Sequence, residues 1–250
     1  MKKLGPVTEA EVIAEFLRNE FYEAEYHRDR NRFEKMVMQP NFNDAEENRF
    51  RRALLFRRRG HMWRELPPDT QWWQVELEPQ DAGLIHVFPR AQWRKISNGS
   101  FCISDVVKRI RERGHLDGGN RVISKIQQMR YRMQANVEPT TTVLLIGMDE
   151  SHPVTIFEGN HRLSAAMLIG PHTLGTRFHV MCGLSLRMRE CCWYETNFAN
   201  LWRYAKHRIA NIYDREADVE RLLLAACAEP PIQRTLVTAA VGDKLTETQS

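Results

Sequence analysis

The apolar positions along the chain switch period several times, and the switches predict the order of elements. Near the N-terminus Ile13, Phe16 and Leu17 recur at helical spacing behind Thr8-Glu9-Ala10-Glu11, which has the form of a capping box. Val7 and Val12 stand at hydrophobic-staple spacing around that start. Asp44 suits the cap of a second helix carrying Phe50, Leu54 and Leu55, and Pro67-Pro68 stops it. The first third therefore reads as helical, with a boundary after residue 66.

Period-two patterns follow. Trp73 to Leu77 alternates as a half-buried strand does. Ser104 suits the cap of a helix from Asp105 to Arg113, with Gly114 as its stop. Asp117-Gly118-Gly119-Asn120 is turn chemistry, and Val122, Ile126, Met129 and Met133 then return to helical spacing. Thr141 to Ile146 and Val154 to Phe157 read as strands of a hairpin with Asp149-Glu150-Ser151-His152 at its tip. A helix is expected from about Asn160 to Ile169, ending at Gly170-Pro171, and a further strand from Arg177 to Cys182. Phe198, Leu201, Trp202, Ala205 and Ile209 form a helical stripe, with Trp202 and Ala205 expected inward. Asp214 or Asp218 opens a last helix through Leu222, Leu223 and Ala226, which Pro230-Pro231 ends; the tail after Ala239 is polar enough for disorder.

This pattern gives an α+β class. A small mixed-sheet core at 67–183 is flanked by an N-terminal helical region at 1–66, C-terminal helices at 184–230 and a flexible tail at 231–250. Composition changes the picture little. The 250 residues are 42% hydrophobic and 27% charged, ordinary for a globular protein, and the net charge of +4 compels no nucleic-acid partner. Five cysteines without a Cys-x-x-Cys pair indicate neither a disulfide framework nor a zinc ribbon. No apolar run is long enough to span a bilayer, so a cytoplasmic protein without a membrane partner is expected. The sequence leaves oligomeric state open.

The chemistry concentrates in Phe157-Glu158-Gly159-Asn160-His161-Arg162. A strand running through one tight turn into a helix aims backbone N–H groups at whatever lies beyond the strand, a natural seat for an anion. Gly159 can take a positive φ. Asn160 sits where a helix cap belongs and can also meet a ligand. His161 can donate to a phosphate or move a proton, and Arg162 fits phosphate bidentately. Glu158 could act as a base or hold magnesium. The plain alternative is a structural turn with Asn160 as cap and Glu158 paired to Arg162. Five such residues crowded at the end of one hydrophobic strand favour a site.

The run Ile156-Phe157-Glu158-Gly159-Asn160-His161-Arg162-Leu163-Ser164-Ala165-Ala166 resembles the signature turn of the ParB/sulfiredoxin-like superfamily. That signature is a strand, an acid or Gly, a Gly, a variable residue, His or Arg, then Arg, and a small-residue helix. The layout from Gln71 to Gly183 is similar too. The resemblance implies nucleotide-phosphate contacts from Gly159, Asn160, His161, Arg162 and Ser164, with Glu158, His161 and Arg162 as the catalytic candidates. Sulfiredoxins carry their nucleophilic Cys where this chain has Asn160, and an amide cannot do thiol chemistry. Partition proteins follow the signature with a helix-turn-helix, and none is read after Cys182. The members departing least from this turn are small-molecule kinases with an acid beside the glycine. The resemblance thus implies a phosphotransferase or nucleotide hydrolase, using ATP or another nucleoside triphosphate with Mg, and an acceptor the sequence does not identify.

A rival reading uses the arginines at 49, 51, 52, 57, 58, 59 and 64, a stretch without an acid. Arg57, Arg58 and Arg59 beside Trp63 could grip nucleic acid, as part of a nuclease-like or regulatory protein. Arg203, Lys206, His207 and Arg208 form a second basic strip that could lend cations to the elbow. The bland reading of both is a solvated or ion-paired helix face.

Overall fold

A computed structural model of the chain describes residues 1–113, 120–135, 141–174, 178–214 and 217–228. Its elements in chain order are β1 (Lys2–Val7), α1 (Glu9–Glu20), α2 (Arg30–Met38), α3 (Ala45–Trp63), β2 (Gln71–Glu76), β3 (Ile85–His86), α4 (Ala91–Ile96) and α5 (Ile103–Arg113). There follow α6 (Arg121–Gln134), β4 (Thr141–Gly147), β5 (Val154–Glu158), α7 (Asn160–Ile169), β6 (Phe178–Leu184), α8 (Phe198–Ile212) and α9 (Val219–Ala228). The α+β class stands. The six strands form one mixed sheet in the order β1-β2-β6-β4-β5-β3.

Local signals explain most of these starts. The Thr8 side chain accepts from the Glu11 amide while Glu11 reaches back to the Thr8 amide, a complete capping box on α1. Asp44 accepts from the Glu46 and Glu47 amides at the head of α3, and Asn120 from Val122 and Ile123 at the head of α6. The β4–β5 hairpin forms as expected, with Ile146 opposite Thr155. β4 runs parallel to β6, Val143 opposite Val180. Every β4 residue from Thr142 to Gly147 is buried, so both faces of the strand are covered, and its run is accordingly apolar without alternation.

The structure corrects several expectations. Residues 1–66 are not all helical, because Lys2–Val7 pairs antiparallel with β2 and forms the sheet edge. An edge strand tolerates Pro6, whose missing N–H faces no neighbour. One continuous hydrophobic core runs from Val12 through the sheet to Val219, crossing the boundary expected after residue 66. Ser104 does not cap α5, which begins at Ile103; its hydroxyl donates to the Ala82 carbonyl at 3.3 Å. Asp218, not Asp214, accepts from the Arg221 amide at the start of α9, while Asp214 pairs with Arg64. The expected Gly114 stop, the Asp117-Gly118-Gly119 turn and the tail after Ala239 lie outside the described residues.

α8 is reversed relative to its expected orientation. Phe198, Leu201, Trp202, Ala205 and Ile209 face solvent, and Asn200, Tyr204, His207 and Asn211 face inward. Periodicity identifies a helix but not which side is covered. Here the polar side wins because Asn200, Tyr204 and His207 find partners there. Asn200 donates to the Arg189 and Glu195 carbonyls at 2.7 Å, and the His207 Nδ1 lies 2.6 Å from Glu65 Oε1. Among the described residues no helix is long and apolar enough to cross a membrane.

Candidate functional site

The elbow begins where β5 runs out. Its residues Val154 to Phe157 are buried, and Glu158 is the first that is not. Gly159 follows at φ 99°, in the left-handed region, and occupies the cap position of α7. A Cβ there would lie 3.0 Å from Val143 Cγ2, so glycine is required by both backbone and packing. The expected cap, Asn160, is instead the first helical residue. Its Oδ1 accepts from the Phe88 amide at 2.8 Å and its Nδ2 donates to the Ile156 carbonyl at 3.3 Å. The side chain ties the segment after β3 to the elbow, which leaves the backbone rather than the Asn160 amide group to meet a ligand.

A cleft of about 530 Å³ opens at this turn, within the range of small-molecule sites. Glu158, Gly159, Asn160, His161 and Arg162 all line it. The C-terminal end of α1 contributes Arg18, Asn19 and Glu20, and α6 contributes Lys125, Met129 and Arg132. The first amides of α7 have no carbonyl one turn back to bond, and its first turn carries no acid. The positive end of the helix dipole is therefore uncompensated from within the helix.

Arg162 reaches back one turn to form an ion pair with Glu158, with side chains 12% and 15% exposed. Burial pushes the Glu158 carboxyl up to about 7, Glu20 adds to the rise, and Arg162 opposes it. His161 packs its ring 5.2 Å from that of Trp93. Burial, then the nearby Lys125 and Arg162 charges, lower its pKa to about 4. At neutral pH this imidazole is uncharged, so it can accept or donate one hydrogen bond but adds no charge. Lys125 is exposed and makes no ion pair among the described residues.

Ser164 is not part of the cleft lining. It is fully buried, and its Oγ has no partner among the described residues. Arg18, Lys125, Arg132 and Trp93 are beyond sequence reading, because each lies at least twenty-five residues from the turn and no local pattern links them to it. Among the described residues no three His, Cys, Asp or Glu side chains are grouped to hold a metal ion. Three carboxylates, Glu158, Glu20 and Glu23, line the cleft.

Five of the seven arginines of this stretch are paired within the protein, and Arg49 is exposed. Arg51 is 1% exposed and donates to Glu47, Asn48 and the Met36 and Asn41 carbonyls. Arg57 pairs with Asp29, Arg59 with Glu20 and Glu25, Arg52 with Glu9, and Arg64 with Asp214. Arg58 is half-buried. The five paired cations hold α3 to its neighbours. Arg203 donates to the Glu190 carbonyl, and none of the second basic strip lines the elbow cleft. Cys182, Cys191 and Cys192 are buried free thiols.

Comparison with known proteins finds no matching family model, no matching curated protein and no matching solved structure.

Proposed function

We propose that the chain binds a nucleotide at the elbow, phosphates against the start of α7, and transfers or hydrolyses a phosphoryl group there. One observation carries the reading: the N-terminus of α7, Arg162 and the exposed Lys125 share one cleft of about 530 Å³. The start of α7, with its helix dipole, and the cations Arg18, Lys125, Arg132 and Arg162 line the cleft beside the carboxylates Glu20, Glu23 and Glu158, and the cations and dipole favour negative oxygens there. The similarity of the turn to the ParB/sulfiredoxin-like signature points the same way.

In this reading the α7 amides and Arg162 stabilise the charge on a transferring phosphoryl. Glu158, with a pKa of about 7, is poised to take a proton from an acceptor hydroxyl. His161 is neutral and orients an oxygen by hydrogen bonding. One carboxylate with substrate phosphates is an ordinary way to hold Mg²⁺, so Glu158 would be its protein ligand, and the ion would neutralise phosphate charge. The acceptor is a small molecule whose class the cleft does not specify.

The test is a titration of the full chain with a fluorescent ATP analogue, competed by ATP, CTP and GTP. Saturable binding that weakens on Lys125→Glu supports the reading. Lys125 is exposed, so that variant keeps the fold. No binding at millimolar nucleotide, or binding indifferent to Lys125→Glu, overturns it.

A further inference from the structure

α8 presents its apolar side to water. At about 100° per residue, Phe198, Leu201, Trp202, Ala205, Ile209, Ile212 and Tyr213 fall within roughly 120° of arc, a complete apolar face. The polar side is sealed: Tyr204 packs its ring 4.8 Å from that of Trp193, and Gly60 of α3 leaves the space that Asn211 fills. The helix is therefore docked firmly by the wrong face for a solitary protein.

The exposure is large. Phe198 is 86% exposed, Tyr213 80%, Ile212 75%, and Trp202 and Ile209 about 60%. With about 150–250 Å² for a whole aromatic side chain, the face offers roughly 800 Å² of mainly apolar surface. A typical monomer's largest apolar patch is about 300–600 Å², whereas each partner in a stable complex buries about 800 Å².

We infer that this face is the contact between two copies of the chain, with α8 crossing its own symmetry mate near Ala205. Ala205 stands midway along the stripe, and Leu201, Ala205, Ile209 and Tyr213 form one i, i+4 ridge of the kind that interdigitates across helix pairs. A small side chain at the centre lets the two backbones approach. A self-complementary patch of this kind closes as a two-fold dimer. The helix carries no Asp or Glu, and exposed Lys206 and Arg208 flank the face. Across a two-fold axis those cations meet their own copies. Their repulsion is screened by salt, so the dimer tightens as ionic strength rises. A lipid or nucleic-acid partner would show the opposite trend.

Sedimentation velocity of the full chain at two salt concentrations tests this. The expected result is a dimer in the micromolar range that tightens in high salt. Ile209→Glu places a carboxylate in the contact and weakens it by more than about tenfold. Tyr131→Glu, an equally exposed change on α6, leaves it unchanged. Both sites are exposed, and matching melting curves confirm that both variants fold. A monomer at every concentration overturns the inference. So does a dimer indifferent to Ile209→Glu, or a monomer that floats with anionic vesicles. None of these outcomes bears on nucleotide binding at the elbow.

Discussion

Glu158 and Arg162 face each other across the first turn of α7, and their ion pair sits inside the elbow cleft rather than outside it. The guanidinium is thus both structural and available: it holds the end of β5 to α7 and still lines the space beyond. Arg162→Ala should leave Glu158 buried without its partner and raise its pKa further. The expected cost is about 1–3 kcal/mol of stability, below the full penalty of a wholly buried pair. Urea unfolding at pH 8 measures it, and a double change with Glu158→Gln should recover most of the loss. Persistence of the loss in the double variant would show that the pair is not the cause.

Glu158 and His161 bias stability in opposite directions over one pH window. Glu158 is raised from 4.5 to about 7, so its contribution is full below pH 4.5 and is lost as pH rises through 7. His161 is lowered from 6.5 to about 4, so its contribution is full above pH 6.5 and is lost as pH falls through 4. The two nearly cancel between pH 4.5 and 6.5, and the wild-type stability profile should be flat there. Glu158→Gln should leave a profile that rises by about 2–3 kcal/mol from pH 4 to 6.5. Denaturation midpoints at three pH values decide it; an unchanged slope contradicts the assignment.

The same carboxyl should govern phosphate affinity. Ionised Glu158 repels an anion, and protonated Glu158 can donate to one. Affinity for a nucleoside triphosphate without Mg²⁺ should therefore fall several-fold as pH rises from about 6 to 8, by the charge–charge terms of a partly buried site. The fall should be shallower in Glu158→Gln. Equal slopes in the two proteins would remove Glu158 from the binding site.

Asn160 was expected to cap α7 or meet the ligand, and instead it joins Phe88 to Ile156. Asn160→Ala should cost about 1–3 kcal/mol by orphaning the Phe88 amide. Nucleotide affinity, measured well below the melting temperature, should change little. A large affinity loss with unchanged stability would restore the ligand role.

Gly159→Ala should be disruptive at the turn itself. A φ of 99° and a Cβ only 3.0 Å from Val143 Cγ2 together cost about 1–3 kcal/mol. Calorimetric melting checks this. An unchanged Tm would mean the backbone reaches an ordinary conformation at no penalty.

The elbow was legible because strand, glycine, ionisable residues and small-residue helix are consecutive, and local physics sets a strand-to-helix turn. Thr8, Asp44 and Asn120 were legible as turn or capping residues for the same reason. Lys125 and Arg18 were not, because only the packing of α6 and α1 brings them to the turn. β1 is not legible because its inward positions are only half-buried and Gly5-Pro6 interrupts its pattern. The helical period identifies α8, and its apolar side faces solvent. Its Asn200, Tyr204 and His207 find partners in the protein, and no pattern within one helix states what lies on either side of it. The arginines of α3 looked like a patch because their acids, Glu9, Glu20, Glu25 and Asp29, come from earlier in the chain.

The most direct measurement is a crystal structure of the chain with a non-hydrolysable nucleotide and Mg²⁺. The account predicts phosphate oxygens at the first amides of α7, within reach of Lys125 and Arg162. Nucleotide bound elsewhere, or an elbow cleft left without it at saturating concentration, would contradict it.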